Sequence, residues 1–497
     1  MVVGENYITD MYEAPAVLLS NDKKAKVKWY QFKIPIKNPD KVVGNIQDFK
    51  SIRFMRMFMK GWAESTVLRF ASLELVRGEW RKYNLSLVPG EYEMDDNNNT
   101  TFDVSVVNIE ENAEKIPVPY VIPPGIEREI NLGTTNLQEL NEQSLSLKVV
   151  HLMDGDARVC YKTCDFDMRE FKTLRMFVHE EAVGTNDNIK EGDLTIFMRL
   201  GTDFTDNYYE YEIPLTPTPW YTTTSNPDII WPDSNEFNIT LNVLQNLKME
   251  RNIQMRVPGS GVTLSTPYTT SDNGRKVTVV GMPTLSSVKV IMIGLRNPKK
   301  SAGTINDDGM AKSAEVWVNE LRLTDFNEKG GWAATSTVNA TLADLGTATM
   351  AGKISTPGFG SIEKKISERS KETIKEYAIA TSLELGKFLP EKTGIKIPMH
   401  FDYSHNVSDP QYNPLNPDLL FDEDIDTYAS KEERDSVKAL GQELTVRKSL
   451  NFVNVKKEKT GTSSKSHVYD VENLDFTYSY TEQYHRNIDI EHDFKKT

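Results

Sequence analysis

Large apolar side chains alternate with polar ones in Trp29-Tyr-Gln-Phe-Lys-Ile-Pro-Ile36, and again in Tyr208-Tyr-Glu-Tyr-Glu-Ile-Pro-Leu215. In the first stretch Tyr30, Phe32, Ile34 and Ile36 oppose Gln31 and Lys33; in the second Tyr209, Tyr211, Ile213 and Leu215 oppose Glu210 and Glu212. A two-residue period predicts strands with one buried face, and the likeness of the two stretches predicts a duplicated β module. Phe49–Met59 pairs in the same way with Leu285–Gly294, and Leu73–Arg77 with Glu320–Leu323. The second copy also has a front half, from Phe171–Val178 to Met198–Asp203, for which the residues before Trp29 leave no room. A module needs all its strands to bury its core, so the expectation is a first module that is incomplete, in a chain that is a piece of something larger.

The pattern divides the chain into residues 1–100, the back half of the first sandwich; 101–165, an extended connector rich in proline around Pro117–Gly125; 166–328, a complete second sandwich; and 329–497, a different kind of β region. In the second module strands are predicted at 171–178, 194–200, 208–215, 237–244, 276–280, 286–295 and 314–323, between Gly, Pro, Asn and Asp clusters that suit an antiparallel sandwich.

After Gly331 small and hydroxylated residues take over. Trp332, Ala334, Val338, Ala340 and Leu342 alternate with Thr335, Thr337, Asn339 and Thr341, and the alternation returns in Tyr377–Leu385 and Leu474–Thr481. It is clearest where Ile395, Ile397, Met399, Phe401 and Tyr403 oppose Lys396, His400, Asp402 and Ser404. Two-faced segments of about ten residues suit membrane β-barrel strands, with lipid outside and a wet lumen inside; a soluble sheet with one face on a core gives the same pattern. On the barrel reading the Ile395–Tyr403 set faces lipid and the Lys396–Ser404 set faces the lumen. The region has room for about five to seven such strands, fewer than the roughly eight of the smallest membrane barrels, so closure needs strands from elsewhere. Ser404–Gly441 is read as one of its long polar loops, and Ser361–Glu376 as a solvated loop rather than a short helix.

Composition narrows the function classes. The net charge is −14, with basic residues interspersed among acids, which argues against a nucleic-acid partner. No apolar run is long enough for a membrane helix. Cys160 and Cys164 are the only cysteines; without further ligands they make a poor zinc site, leaving free thiols or a local disulfide. The seven histidines include no H-E-x-x-H, since His179-Glu-Glu-Ala-Val183 lacks the second ligand. No nucleophile elbow or phosphate loop occurs, so neither a catalytic constellation nor a cofactor site is expected. Asp203, Asp206 and Asn207 could hold calcium, or form a polar turn before a strand.

Longer motifs carry a resemblance. Pro119-Tyr-Val-Ile-Pro-Pro-Gly-Ile-Glu-Arg-Glu129, Leu140-Asn-Glu-Gln-Ser144, Asn207–Leu215, Val316–Phe326 leading into Gly331-Trp-Ala-Ala334, Gly358-Phe-Gly-Ser-Ile-Glu363, Gly386-Lys-Phe-Leu-Pro390 and Tyr412-Asn-Pro-Leu-Asn-Pro-Asp418 follow one another along nearly the whole chain. Together they resemble the SprA/Sov family, the giant outer-membrane translocon of the type IX secretion system of Bacteroidota, also tied to gliding motility. The resemblance implies an all-β fold: two antiparallel, jelly-roll-like β-sandwich modules, the first incomplete, followed by strands of a very large outer-membrane barrel of roughly 36 strands. It implies a conduit for folded cargo bearing a C-terminal signal domain, a smaller outer-membrane barrel shuttle protein at a lateral opening, and a periplasmic plug protein. The sandwiches would lie on the extracellular or periplasmic side. A cell-surface carbohydrate- or protein-binding sandwich protein is the competing reading, with Tyr208, Tyr209 and Tyr211 as sugar-stacking candidates.

Overall fold

The computed structural model describes all residues except 1–5, 15, 19–23, 35, 37–40, 42, 44–54, 66, 72, 74–78, 88–98, 132–137, 186, 188, 302–307, 366–367 and 461–468. The chain divides into two compact units, Met1–Val76 and Arg77–Thr497. In the first, Ile8–Glu13 pairs antiparallel with Lys28–Phe32, and Val17–Leu18 with Lys24–Ala25. Trp29, Phe32, Ile34 and Ile36 are exposed there, in contrast to their counterparts after Tyr208. The anticipated segments Phe49–Met59 and Leu73–Arg77 fall largely outside the described residues.

In the second unit a sandwich is built from β1 (Arg81–Tyr83), β2 (Thr101–Asn108), β3 (Gln143–Leu152), β4 (Ala157–Phe166), β5 (Phe171–Ala182), β6 (Thr195–Gly201), β7 (Tyr208–Pro214), β8 (Phe237–Thr240), β9 (Tyr268–Asp272), β10 (Arg275–Val280), β11 (Val288–Arg296) and β12 (Lys312–Phe326). One sheet runs β9-β10-β7-β6-β11-β4-β1 and the other β8-β5-β12-β3-β2. All strand pairs described in the two sheets are antiparallel. Register aligns Met198 with both Tyr211 and Ile293. Those side chains meet Met176, Leu147 and Val316 of the facing sheet in one buried core, the arrangement of a sandwich with apolar inner faces.

Two expectations are corrected here. Residues 101–165 are not a connector: β2, β3 and most of β4 lie within them and pair inside the two sheets, and β1, assigned by pattern to the first module, pairs with β4. The proline-rich segment misled because it is short; the flanking strands carry the alternation. The stretch 237–244 is a strand only to Thr240, after which α1 (Leu241–Arg256) buries Leu241, Leu244, Leu247, Lys248 and Arg251. That spacing of three and four is helical, and it overrides the apparent two-residue period.

The third sheet follows directly. β13 (Ala333–Leu342), β14 (Gly346–Ser355), β15 (Glu372–Glu384), β16 (Pro398–Pro410), β17 (Glu443–Lys457), β18 (Phe476–Arg486) and β19 (Glu491–Lys496) form a meander in which every strand pairs with its neighbour in sequence, while Ile395–Lys396 adds a short pair with β17. The polar stretch expected as a loop after Ser404 is structured: β16 continues to Pro410, and Asn416–Leu420 pairs back on Tyr412–Asn413 before two helices, Phe421–Asp426 and Lys431–Gly441. The longer helix begins with a capping box of Ser430 and Glu433. No helix among the described residues is long and apolar enough to cross a membrane.

Candidate functional site

Direct cross-strand partners share a face of a sheet, so the register sorts the side chains of the third sheet. Val338, Met350, Ile379 and Tyr403 form one row of register partners, and Ala340, Ala348, Thr381, Phe401, Leu450 and Tyr480 form the next. Met399 aligns with Leu383 and Phe452 on the same face. The opposite face carries Asn339, Thr349, Ser382, His400, Asp402, Ser404, Arg447, Asn451 and His485. The side chains on that face bond laterally: Thr349 to Asn339 at 2.9 Å, Ser382 to His400 Nδ1 at 2.9 Å and Thr445 to His485 Nδ1 at 2.9 Å. His400 Nε2 lies 2.9 Å from Asp402, and Lys353 lies 3.4 Å from Glu376.

Among the residues singled out from sequence, Met399, Phe401 and Tyr403 fall on the apolar face and His400, Asp402 and Ser404 on the polar one. Ile395 and Lys396 sit apart, on the short strand against Lys457 and Lys456, where Lys396 pairs with Glu458 at 2.7 Å. Ile397 donates its backbone N–H to Glu384 at 2.6 Å. Sequence reasoning missed β14, β17 and β19, and with them Arg447, Ser449 and Asn451. The alternation of Leu444, Val446, Leu450 and Phe452 with Thr445, Arg447, Ser449 and Asn451 carried the signal, broken by Lys448 on the apolar side.

A buried carboxylate helps join the sheet to the sandwich. Asp418, in the Tyr412–Asp418 motif, is wholly buried. It accepts bonds from the Tyr209 hydroxyl at 2.6 Å, Lys248 Nζ at 3.2 Å, Thr284 Oγ1 at 3.1 Å and the Leu285 backbone N–H. Burial lowers the Lys248 pKa even though Asp418 opposes the shift. Arg169 Nη1 donates to Pro417 O at 2.9 Å while its guanidinium lies 4.3 Å from the Tyr412 ring. These contacts explain why a loop of the third sheet carries such a dense Pro/Asn/Asp motif: its backbone must turn sharply to insert one side chain.

A second polar cluster lies on the outer face of the β5 and β12 sheet, under the proline-rich segment. Tyr120 packs on Trp317 and Trp231 at 5.6 and 6.2 Å between centroids, and Trp231 Nε1 donates to Val121 O at 2.7 Å. Lys115 ion-pairs with Glu181 and, at 3.2 Å, with Glu315. Burial alone would raise the Glu315 pKa, but Lys115 and the Trp317 Nε1–H outweigh it and hold the carboxyl at about 2. His179 stacks on Trp317 at 4.0 Å, and its Nδ1 lies 2.7 Å from Ile230 O. The cluster is therefore internally satisfied, with the proline-rich motif as its lid.

The calcium candidate is a capped turn: Asp203 accepts the N–H groups of Thr205, Asp206 and Asn207 and the Asn207 amide. Those bonds lower its pKa against the opposing effect of burial. No group of acidic, His or Cys side chains able to hold a metal occurs among the described residues. Cys160 and Cys164 are free thiols on one strand, β4. Tyr208, Tyr209 and Tyr211 are buried, so their rings are not available to stack on a sugar.

No curated protein sequence matches the chain. The model of a family described as motility related/secretion protein matches residues 1–425, a span that takes in the sandwich, the Tyr412–Asp418 motif and the first strands of the third sheet. The chain belongs to the SprA/Sov family of motility-related and secretion proteins.

Proposed function

We propose that the third sheet is a section of the wall of an outer-membrane conduit, through which folded cargo passes across the membrane in type IX secretion. The observation that carries this reading is the two-faced register that continues from β13 to β18, apolar over most of one side, with Lys448 and Glu482 as charged exceptions, and rich in hydroxyl, amide and imidazole groups on the other. A sheet in lipid must satisfy its backbone polar groups within itself, and its meander order is that of membrane barrels. The polar face, with His400, Asp402 and Ser404, would line water. The apolar face, with Met399, Phe401 and Tyr403, would meet acyl chains, and Ile395, Lys396 and Ile397 would lie at the rim.

Transport of this kind needs no covalent step: the wall lowers the cost of carrying a polar folded domain past hydrocarbon by offering hydrated surface. The sandwich, fixed to the wall by Asp418, would stand on one side of the membrane. On this reading the partners would be cargo with a C-terminal signal domain, a smaller outer-membrane barrel shuttle protein at a lateral opening and a plug protein on the periplasmic side. The deciding experiment is fractionation of the full-length protein. Retention in the outer-membrane pellet through a carbonate wash is the expected result, and release into the wash would overturn the reading.

A further inference from the structure

The apolar face of the third sheet ends along a line, and the register gives its direction. Moving inward from the sandwich end, the innermost charged or imidazole side chain on that face is Lys375 on β15, His405 on β16, Lys448 on β17, Glu482 on β18 and Lys495 on β19. These residues do not all share a row. His405 aligns with Tyr377, two positions inward of Lys375; Lys448 aligns with Tyr403 and through it with Ile379, four positions inward. Glu482 and Lys495 continue that last row. Lys448 and Lys495 both pair with Glu482, at 3.5 and 3.3 Å.

The opposite border steps in the same direction. Asp344, in the turn between β13 and β14, pairs with Lys387 at 2.9 Å just beyond the row of Leu342, Gly346 and Leu383. On β17 the apolar face runs on past Phe452, which belongs to that row, through Val455 to Lys457. A shift of four residues at about 3.3 Å each, gained between β15 and β17 and spread over the four steps of about 4.8 Å from β15 to β19, averages a slope of roughly 35°. From Lys448 to Lys457 is roughly 28 Å along the strand, or roughly 23 Å after that tilt. Membrane barrels tilt their strands by about 35–45° and carry an apolar band about 25 Å tall.

A protein core imposes no common plane on a sheet, whereas the two borders of a bilayer are parallel planes. We propose that this face is set into lipid hydrocarbon with the bilayer border crossing the strands obliquely along Lys375, His405, Lys448, Glu482 and Lys495, at the level of the lipid headgroups. The proposal rests on the membrane-wall reading above and adds the depth of each residue. Met350 and Lys448 lie on one register row through Ile379 and Tyr403, yet Met350 is assigned to the hydrocarbon and Lys448 to its edge.

The test uses full-length protein, in a cysteine-free background, reconstituted in phospholipid vesicles with a nitroxide at Met350→Cys or Lys448→Cys. Expected is strong preference for oxygen over a water-soluble nickel chelate at 350 and loss of that preference at 448. Equal preference at both sites would sink the oblique border while leaving the wall reading standing. Preference at neither would overturn both. An unlabelled pair gives a second readout: Met350→Lys lowers the yield of assembled, heat-modifiable protein at least about tenfold, while Val446→Lys, outside the border, stays within about twofold of the parent. Equal loss for the two would count against the border.

Discussion

The Tyr209 hydroxyl donates to Asp418 at 2.6 Å across 209 residues of sequence, joining the start of a sandwich strand to a loop of the two-faced sheet. Lys248, on the helix that closes the sandwich edge, donates to the same carboxylate oxygen. Removing the acid leaves that ammonium buried without its counter-charge, a change of about 3–5 kcal/mol. Asp418→Ala is therefore expected to free the 411–441 segment, read as new protease cleavage there with the two-faced sheet still assembled. Tyr209→Phe, which deletes one donor, should cost about 1–3 kcal/mol and leave the segment resistant.

Glu180 lies on β5, wholly buried, and neither carboxyl oxygen finds a hydrogen-bond partner among the described residues. Burial, with Asp193 adding to it, raises its pKa well above the usual 4.5. A raised native pKa contributes stability that is full below the unfolded pKa and is lost as pH rises towards the native value. Glu180→Gln should accordingly flatten the decline of the sandwich's melting temperature between about pH 5 and alkaline pH. An unchanged slope in calorimetry at several pH values would contradict this.

Glu210 and Glu315 act in the opposite sense. Burial alone would raise both; Arg199 and Arg296 outweigh it for Glu210, and Lys115 for Glu315, holding each at about 2. Their stabilisation is complete above the unfolded carboxyl value and is lost as pH falls from about 4.5 to about 2. Acid titration followed by tryptophan fluorescence should show the sandwich unfolding in that window. Glu315→Gln should destabilise at neutral pH and make the remaining acid transition shallower.

On the two-faced sheet, Phe401→Lys places a cation within the apolar band and should cost about 2–4 kcal/mol, seen as loss of assembled full-length protein. His405→Lys, four residues along the same face at the border, should be mild, as should Asp402→Asn on the polar face. Similar yields for Phe401→Lys and His405→Lys would remove the depth argument.

Cys160 is buried, with its thiol pKa pushed up to about 12, while Cys164 is partly exposed. A maleimide should modify Cys164 first and reach Cys160 only on unfolding. The two stand four residues apart on one extended strand, roughly 13 Å, beyond disulfide reach.

How much of this was legible depends on what each pattern reports. The strand around Tyr209 and Tyr211 was readable because one face is apolar, but Glu210 and Glu212 are buried as well, covered by Arg199, Arg296 and Lys276. Period alone cannot register that long-range ion pairing. Helix α1 was missed because Leu241 and Val243 mimic a strand, although Leu244, Lys248 and Arg251 repeat with the helical spacing. The alternation at Met399–Ser404 was visible, yet which rows align, and hence the oblique border, depends on register set by pairs such as Tyr403 with Lys448. The Asp418 motif could be read as dense and specific, but its partners lie in the sandwich, out of reach of any local pattern.

The meander order of the two-faced sheet separates it from the sandwich in how each can form. Cys160 and Ile293 of neighbouring sandwich strands are 133 residues apart, so those sheets close only after a long chain has been gathered. In the meander each strand meets the one just before it. Local pairings form fast and distant ones slowly, so the sheet can lengthen hairpin by hairpin, with one growing edge at any moment, while the sandwich has to be completed as a unit.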